Sequence, residues 1–363
     1  KFKKIALVIL SLIILFFVGQ AVVKFVKISP FLFDLLFKKE INLKKSNSHI
    51  NVLLLGIGGK NHQGPNLTDT IILASLDIEK DKILLTSIPR DLWVPDIETA
   101  NKKINSAYAE GEGKREGGGL VLAKAIVGKV LGQKIDYAVR IDFDGFVRAV
   151  DLIGGFDVNI ERTFDDYEYP IEGKDDDSCG QPLEELEALA TESSQLEAFP
   201  CRYMHVHFDK GDKRMDGKTA LIFVRSRHGT GMEGSDFARS NRQEKIIKAF
   251  KDKVFSLQTL TNPGKVISLY DILKDSIDTD IKQNEMDDFI RLAEKMKKAS
   301  IQSAVIDTGD AQTKRPGLLM NPSSAENYYL QWVLIPRAGN GNFSEIQKYI
   351  DCEIKIGNCP IAE

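Results

Sequence analysis

The sequence predicts an α/β fold: a central mixed β-sheet flanked by helices in α/β/α layers, preceded by one N-terminal transmembrane helix. Three observations predict it. From residue 50 onward, short apolar runs of strand length alternate with stretches of helical spacing. An almost uninterrupted apolar run, Ile5 to Val23, lies at the start. The roughly 310 residues beyond it are ample for a buried core, as one large domain or one domain with a small tail.

The apolar run is about as long as a helix must be to span the hydrocarbon core. Lys1, Lys3, Lys4, Lys24 and Lys27 flank it. A cleavable signal peptide has a shorter apolar core ending in a small-residue site. Residues 1–27 are therefore read as a retained single-pass anchor in the cell membrane, and 28–47 as a juxtamembrane stalk. Lysines on both flanks leave the orientation open, and the cysteines decide it. Cys179 with Cys201 and Cys352 with Cys359 are two local pairs, neither in the spacing of a zinc site. Two short-loop disulfides are expected, which puts the C-terminal bulk on the extracytoplasmic side. Four buried, reduced thiols are the alternative.

The folded part opens with the strand Ile50–Gly56 and the glycine-rich loop Gly56–Gly64. Strands Thr70–Asp77 and Lys82–Ser87 follow around the turn Ile78–Asp81. Leu120–Leu131 has helical spacing, Ile135–Ile141 reads as strand, and Phe143–Ile153 as a helix stopped by Gly154 and Gly155; Phe156–Ile160 is another strand. Residues 161–201 read as an acidic insertion closed by its cysteine pair. Between Glu161 and Glu197 thirteen acidic residues meet two basic ones, more charge than a core absorbs. Met204–Phe208 reads as strand, Asp216–Val224 as a helix capped by Asp216, and Asp236–Phe255 as a long amphipathic helix with an Asp cap. Helices at Pro263–Ile277 and Asn284–Lys298, edge strands at Gln302–Ile306 and Tyr328–Ile335, and a helix at Ser344–Ile350 complete the pattern. The expected division is a domain over 48–310 and a strand/helix extension over 311–363 holding the second disulfide.

The net charge of −3 decides little, but its distribution is informative. Arg202–Lys251 carries twelve basic against six acidic residues, among them Arg225, Arg227, Arg239 and Arg242, with Gln243 alongside. Arg90 stands upstream in Ser87-Ile88-Pro89-Arg90-Asp91. An aromatic-interleaved nucleic-acid patch is not visible, so no nucleic-acid partner is expected. Guanidinium forks match phosphate oxygens two at a time and stay charged. A phosphate or pyrophosphate pocket is the sharp reading and a solvated helix face the bland one.

Pro89 disfavours helix, so Arg90 should project from a strand's end, where open α/β sheets bind ligands. Arg225 and Arg227 share a face if extended; Arg239 and Gln243 share a helix face. The loop Gly56–Gly59 runs into a strand, unlike the Rossmann and Walker patterns. Asp69, in Leu67-Thr68-Asp69-Thr70, is a turn cap or, if arginines face it, a magnesium ligand. No Ser-His-Asp order supports acyl hydrolysis.

Asn51-Val52-Leu53-Leu54-Leu55-Gly56, Thr68-Asp69-Thr70, Ser87-Ile88-Pro89-Arg90-Asp91 and Lys103-Ile104-Asn105-Ser106-Ala107-Tyr108 resemble, in order, successive motifs of the LytR-CpsA-Psr family. Asp151-Leu152-Ile153-Gly154-Gly155, Asp216-Gly217-Lys218-Thr219-Ala220-Leu221 and the run from Arg225 to Gln243 continue the series. The resemblance covers Ser48 to Phe255. It implies an extracytoplasmic phosphotransferase, moving an anionic, teichoic acid-like glycopolymer from a polyprenyl-pyrophosphate lipid carrier onto peptidoglycan.

By motif, Arg90, Arg225, Arg227, Arg239 and Gln243 would grip the pyrophosphate, with Asp69, Arg90, Arg227 and Arg239 as the catalytic set. Fixed cations suit this, because cleaving a pyrophosphate loads charge onto the departing lipid phosphate. The family's lipid tail lies in an apolar tunnel between sheet and helices, which Leu120–Leu131 would line unless it is ordinary core. One departure matters. Ile57, Gly58 and Gly59 stand where the family usually carries an aspartate, leaving Asp69 as the single expected carboxylate ligand for Mg2+. Asp69 or Asp91 would be the base for the acceptor hydroxyl. A non-catalytic polyprenyl-phosphate- or glycopolymer-binding module and a pyrophosphate hydrolase stay open as alternatives.

Overall fold

The computed structural model describes residues 40–361 except 47, 61, 63, 99–100, 183–193, 255–275 and 311–313. The expected membrane helix, most of the stalk, and helix Pro263–Ile277 up to residue 275 lie outside the described residues. No helix among the described residues is long and apolar enough to cross a membrane.

In chain order the strands are β1 (His49–Ile57), β2 (Thr68–Asp77), β3 (Lys82–Ser87), β4 (Tyr137–Asp142), β5 (Phe156–Ile160), β6 (Phe164–Pro170), β7 (Tyr203–Phe208), β8 (Gly211–Met215), β9 (Ile277–Thr279) and β10 (Ser300–Val305). The main helices are α1 (Ala107–Lys114), α2 (Gly118–Leu131), α3 (Phe143–Leu152), α4 (Gly217–Arg225), α5 (Asp236–Val254), α6 (Met286–Lys295) and α7 (Ser344–Lys355). One mixed sheet runs β10-β3-β2-β1-β4-β9. β1 is antiparallel to β2 and parallel to β4, while β3 is antiparallel to β2 and parallel to β10.

Strand alternation explains the layers. Leu53 and Leu55 of β1 point to one face, where α2 and α7 pack with Ala123, Ile126, Val127, Ile346 and Ile350. Ile50 and Val52 point to the other, against Leu292 of α6 and Met296. Both faces are covered, so β1 is apolar on both sides. The expected α/β/α arrangement is what these residues build. The buried residues of α2 are sheet-facing core.

A second core joins α3, α4 and α5 to the pairs β5–β8 and β6–β7 through Val150, Phe156, Phe164, Phe208, Phe223 and Ile246. It absorbs the start of the expected acidic insertion. In Phe164-Asp165-Asp166-Tyr167-Glu168-Tyr169-Pro170, Phe164, Asp166 and Tyr169 are buried, so this stretch is a structural strand and not surface decoration. Both cysteine pairs close as expected, Cys179–Cys201 and Cys352–Cys359.

One further expectation is corrected. Tyr328–Ile335 is not a strand: Tyr329 and Leu330 both take φ of 55°, which breaks the extended path, and pairing is confined to the Leu92–Leu334 bridge and Ile335–Pro336. Beyond residue 310, Leu318, Leu334, Phe343, Ile346 and Ile350 complete the same core as α2.

Candidate functional site

The parallel pair β1–β4 ends, β2 begins and β3 ends on one side of the sheet, because β2 runs against both neighbours. That side gathers the chemistry. Gly56 pairs with Thr70 and Ile57 with Thr68, so Asp69 is the extra residue of a β-bulge. A bulge re-aims the side chain it carries, and here Asp69 accepts a hydrogen bond from Nη1 of Arg90. Arg90 follows β3 immediately after Pro89, as its sequence context indicated.

Asp91 is the hub. Its Oδ1 accepts from Lys103 Nζ at 2.9 Å. Its Oδ2 faces Arg90 Nε at 3.4 Å and Arg227 Nη2 at 3.9 Å. Arg90 and Arg227, 137 positions apart by number, thus share one carboxylate oxygen. The Nε of Arg90 is buried against the Asp91 carboxylate. Burial alone would lower the Arg90 pKa, but the charges of Asp69 and Asp91 outweigh it and hold it above the usual value.

α5 brings Gln243 to the same place, with its Nε2 donating to Thr70 Oγ1 at 3.3 Å. Arg239 lies one turn earlier on α5, close enough for its charge to act on Arg242. At the start of α5, Ser235 Oγ accepts from the N–H of Ala238 at 3.1 Å. Ser240 Oγ meets Ser87 Oγ at 3.0 Å, and Glu244 accepts from Ser303, which stitches α5 to the sheet edge. Beneath these clasps, Ile72, Leu85, Ala304 and Val305 line a narrow crevice of about 10 Å³.

Arg225 and Arg227 do not share a face. Arg225 ends α4 and lays its guanidinium on an aromatic shelf, 4.4 Å from the Phe143 ring centroid and 5.6 Å from that of Tyr169. Arg227, beyond the turn at Ser226, points to Asp91. Burial pushes the Tyr169 phenol up, partly countered by Arg225, so the shelf is uncharged. Arg242, one of the basic run, is structural. It is 2% exposed and donates to the carbonyls of Phe223 (3.0 Å), Ser226 (2.6 Å) and Glu233 (3.0 Å), pairing also with the Glu233 carboxylate.

Two residues that sequence reasoning missed hold the site. Asp166, 1% exposed, accepts at Oδ2 from Ser226 Oγ (2.6 Å) and from the N–H groups of Arg227 (3.1 Å) and His228 (3.3 Å). It hangs the arginine loop on β6, and only the alternation of Phe164 and Asp166 could have signalled it. His62 packs on Gly58, one of the three residues standing where an aspartate was expected. A Cβ on Gly58 would lie 2.7 Å from His62 Cβ, and the imidazole packs edge-on against Phe143 at 5.2 Å.

Fold and site together define an α/β domain whose sheet edge collects guanidinium groups and carboxylates suited to a phosphorylated ligand. Residues 33–328 match the LytR_cpsA_psr family, and the chain belongs to it. It is 28% identical over 252 residues to the polyisoprenyl-teichoic acid–peptidoglycan teichoic acid transferase TagU of Oceanobacillus iheyensis, covering 69% of this chain and 64% of that relative. Less than two thirds of that relative's length is therefore spanned. The crystal structure of B. subtilis TagV superposes with a TM-score of 0.54 at 23% identity, covering 85% of this chain and 98% of that one. TagT bound to LIIa-WTA gives 0.53 at 19% identity, covering 87% and 95%. At these identities the superpositions establish the fold.

Proposed function

We propose that this protein is a membrane-anchored, extracytoplasmic phosphotransferase that moves an anionic glycopolymer from a polyprenyl-pyrophosphate carrier onto peptidoglycan. The observation that carries the reading is the convergence of Arg90 and Arg227 on Asp91, with Asp69 and Gln243 at the same sheet edge. Family membership and the transferase name of the TagU relative support it. The closed disulfides fit an oxidising, extracytoplasmic setting, and the apolar run Ile5–Val23 would supply the anchor.

In the transfer, a peptidoglycan hydroxyl oxygen attacks the phosphorus that bears the sugar. The bond from that phosphorus to the bridging oxygen breaks, and the lipid leaves as a monophosphate. Arg90, Arg225, Arg227, Arg239 and Gln243 would bind the diphosphate and stabilise the charge building on the leaving oxygen. The hydroxyl proton needs an acceptor. Asp91 already faces Lys103, Arg90 and Arg227 and serves as their counter-ion. Asp69 sits on the bulge with its side chain 37% exposed and is the better placed base.

Magnesium fits less well. Among the described residues, the two carboxylates facing Arg90, Asp69 and Asp91, are already ion-paired, and Gly58 contributes none; hard cations want several oxygens, so no step is routed through a metal. The crevice under α5, about 10 Å³, has room for about one water, far below the ~300–1,000 Å³ typical of ligand pockets. A prenyl tail entering there would part the Ser240–Ser87 and Glu244–Ser303 clasps.

The test is turnover of a polyprenyl-pyrophosphate-linked sugar by the purified protein with glycan acceptor. Lipid monophosphate and acceptor-linked sugar should appear together. Lipid monophosphate with free phosphorylated sugar would make it a hydrolase, and binding without turnover would leave a binding module.

A further inference from the structure

Away from that site, the β6–β7 hairpin gathers metal-ligating side chains that the transfer reading does not use. Asp165 of β6 pairs across the ladder with His207 of β7, and His205, two residues earlier, points to the same face. Asp165 Oδ1 lies 2.7 Å from His205 Nε2 and 2.8 Å from His207 Nδ1. One ligand atom from each of the three residues lies within 4.8 Å of the others. The side chain of Asp165 is 27% exposed, and those of the histidines 49% and 45%, so the cluster opens to solvent.

The surroundings are arranged as they are around a metal-bound histidine. The second nitrogen of His207, Nε2, lies 3.0 Å from Asp209 Oδ1, and Asp209 in turn holds Lys213 at 2.9 Å. A ligating imidazole commonly gives its other N–H to a carboxylate, which fixes the tautomer and turns the lone pair to the metal. With Nε2–H donated to Asp209, a metal ion would take the place of the proton that Nδ1 and Asp165 Oδ1 share at 2.8 Å. His205 is oriented by stacking on Tyr167, with ring centroids 4.4 Å apart and planes within 6°.

We propose that Asp165, His205 and His207 bind one zinc-class divalent cation, with water completing the coordination. Two imidazole nitrogens and one carboxylate suit zinc and its transition-metal neighbours, while magnesium and calcium prefer all-oxygen sets. Zinc bonds near 2.1 Å in a tetrahedron separate ligand atoms by about 3.4 Å. The present spacings would open by roughly 0.6 Å, a small torsional adjustment for exposed side chains.

The cation would brace the arginine loop. The N–H of Thr230 donates to Asp165 O at 2.8 Å, and Thr230 Oγ1 accepts from Asp165 N–H at 3.1 Å. The neighbouring Asp166, on the opposite face of β6, holds Ser226, Arg227 and His228. Fixing β6 to β7 therefore fixes the strand from which that loop hangs.

The experiment is zinc titration, by calorimetry near pH 7.5, of the chelator-treated protein carrying no histidine tag. One equivalent should bind with micromolar affinity and raise the melting temperature, without competition from excess magnesium. His205→Ala and His207→Ala should each weaken binding at least 100-fold, and Asp209→Asn by about 10–100-fold. These side chains are exposed, and matching melts of the variants and the native protein in chelator confirm folding. Absence of saturable binding would overturn the proposal, leaving only a zinc-independent His–Asp pairing. So would one equivalent bound equally well by both histidine variants. Neither result bears on glycopolymer transfer.

Discussion

Asp166 is where the structure can be tested most sharply. Its carboxylate takes four hydrogen bonds: Ser226 Oγ and the N–H groups of Arg227 and His228 at Oδ2, and the N–H of Glu168 at Oδ1 at 2.9 Å. Asp166→Asn keeps the shape and removes one acceptor. With its oxygen toward the arginine loop, the amide keeps three bonds, now neutral and about half as strong, and turns its NH2 onto the Glu168 N–H. Turned the other way, it loses all three.

Hydrogen bonds to charged groups contribute about 1.5–3 kcal/mol and neutral ones about 0.5–1.5, so a net loss of about 2–3 kcal/mol is expected for Asn. Asp166→Ala should cost about 3–5 kcal/mol, because the fully buried Ser226 hydroxyl is then left unpaired. At about 2–4 °C per kcal/mol for a domain of this order, thermal melts followed by circular dichroism resolve both. Asp165→Asn in chelator is the control, since that side chain faces the other side of β6 and should melt near the native value. Native-like melting of Asp166→Asn and Asp166→Ala would refute the claim that this carboxylate suspends the loop.

Arg90→Ala and Arg227→Ala should each weaken carrier binding by about 10–100-fold, since each removes a charge-assisted phosphate contact worth about 1.5–3 kcal/mol; titration with a short polyprenyl pyrophosphate measures it. Thiol titration of the native, unreduced protein should find no reactive group among its four cysteines. Reduction should lower the melting temperature, with the 22-residue separation of Cys179 and Cys201 contributing about 3 kcal/mol. At Asp77, burial would raise the pKa, but the N–H groups of Lys80 and Glu79, aided by His49 and Lys80, outweigh it and hold the carboxyl below its usual value. A depressed pKa stabilises above the unfolded value, about 3.9, and that contribution fades as pH falls through the folded value. Asp77→Asn should therefore melt lower than the native protein at pH 7, and the gap should narrow below about pH 4.

The sheet was legible because its signals are local. β3 begins and ends at Lys82 and Ser87 as the apolar run does, and Asp216 caps α4 through the Thr219 N–H at 2.8 Å. Arg90 was legible too, because Pro89 ends the strand beside it. What escaped depends on distant partners. α1 carries Gly111 and Gly113, poor helix formers, and Gly111 is required by its close packing on Gly118: an added Cβ would lie 2.4 Å from the Gly118 carbonyl oxygen. Asp166 looked like one more charge in an acidic tract until Ser226, Arg227 and His228 arrived sixty residues later in the chain. Arg242 resembled its neighbours in sequence, yet three carbonyl acceptors and Glu233 enclose it. Counting arginines singled out the cluster, and only packing separated Arg90 and Arg227, which meet at Asp91, from Arg242, which holds the frame.

The exchange at Gly58 follows the same logic. A side chain there and the imidazole of His62 exclude one another, since a Cβ at 58 would sit 2.7 Å and 2.8 Å from His62 Cβ and Cγ. The ring of His62 props Phe143, and Phe143 carries the Arg225 guanidinium at 4.4 Å. His62 also reaches Glu172 at 3.5 Å, tying the loop to residues just past β6. The glycine at 58 thus makes room for a ring that supports a fixed cation. With Asp69 matched by Arg90 and Asp91 by Arg90, Arg227 and Lys103, the site balances its charge through side chains. If the proposed transfer holds, a diphosphate would enter by displacing Asp69 from Arg90, its forked oxygens replacing one anionic partner.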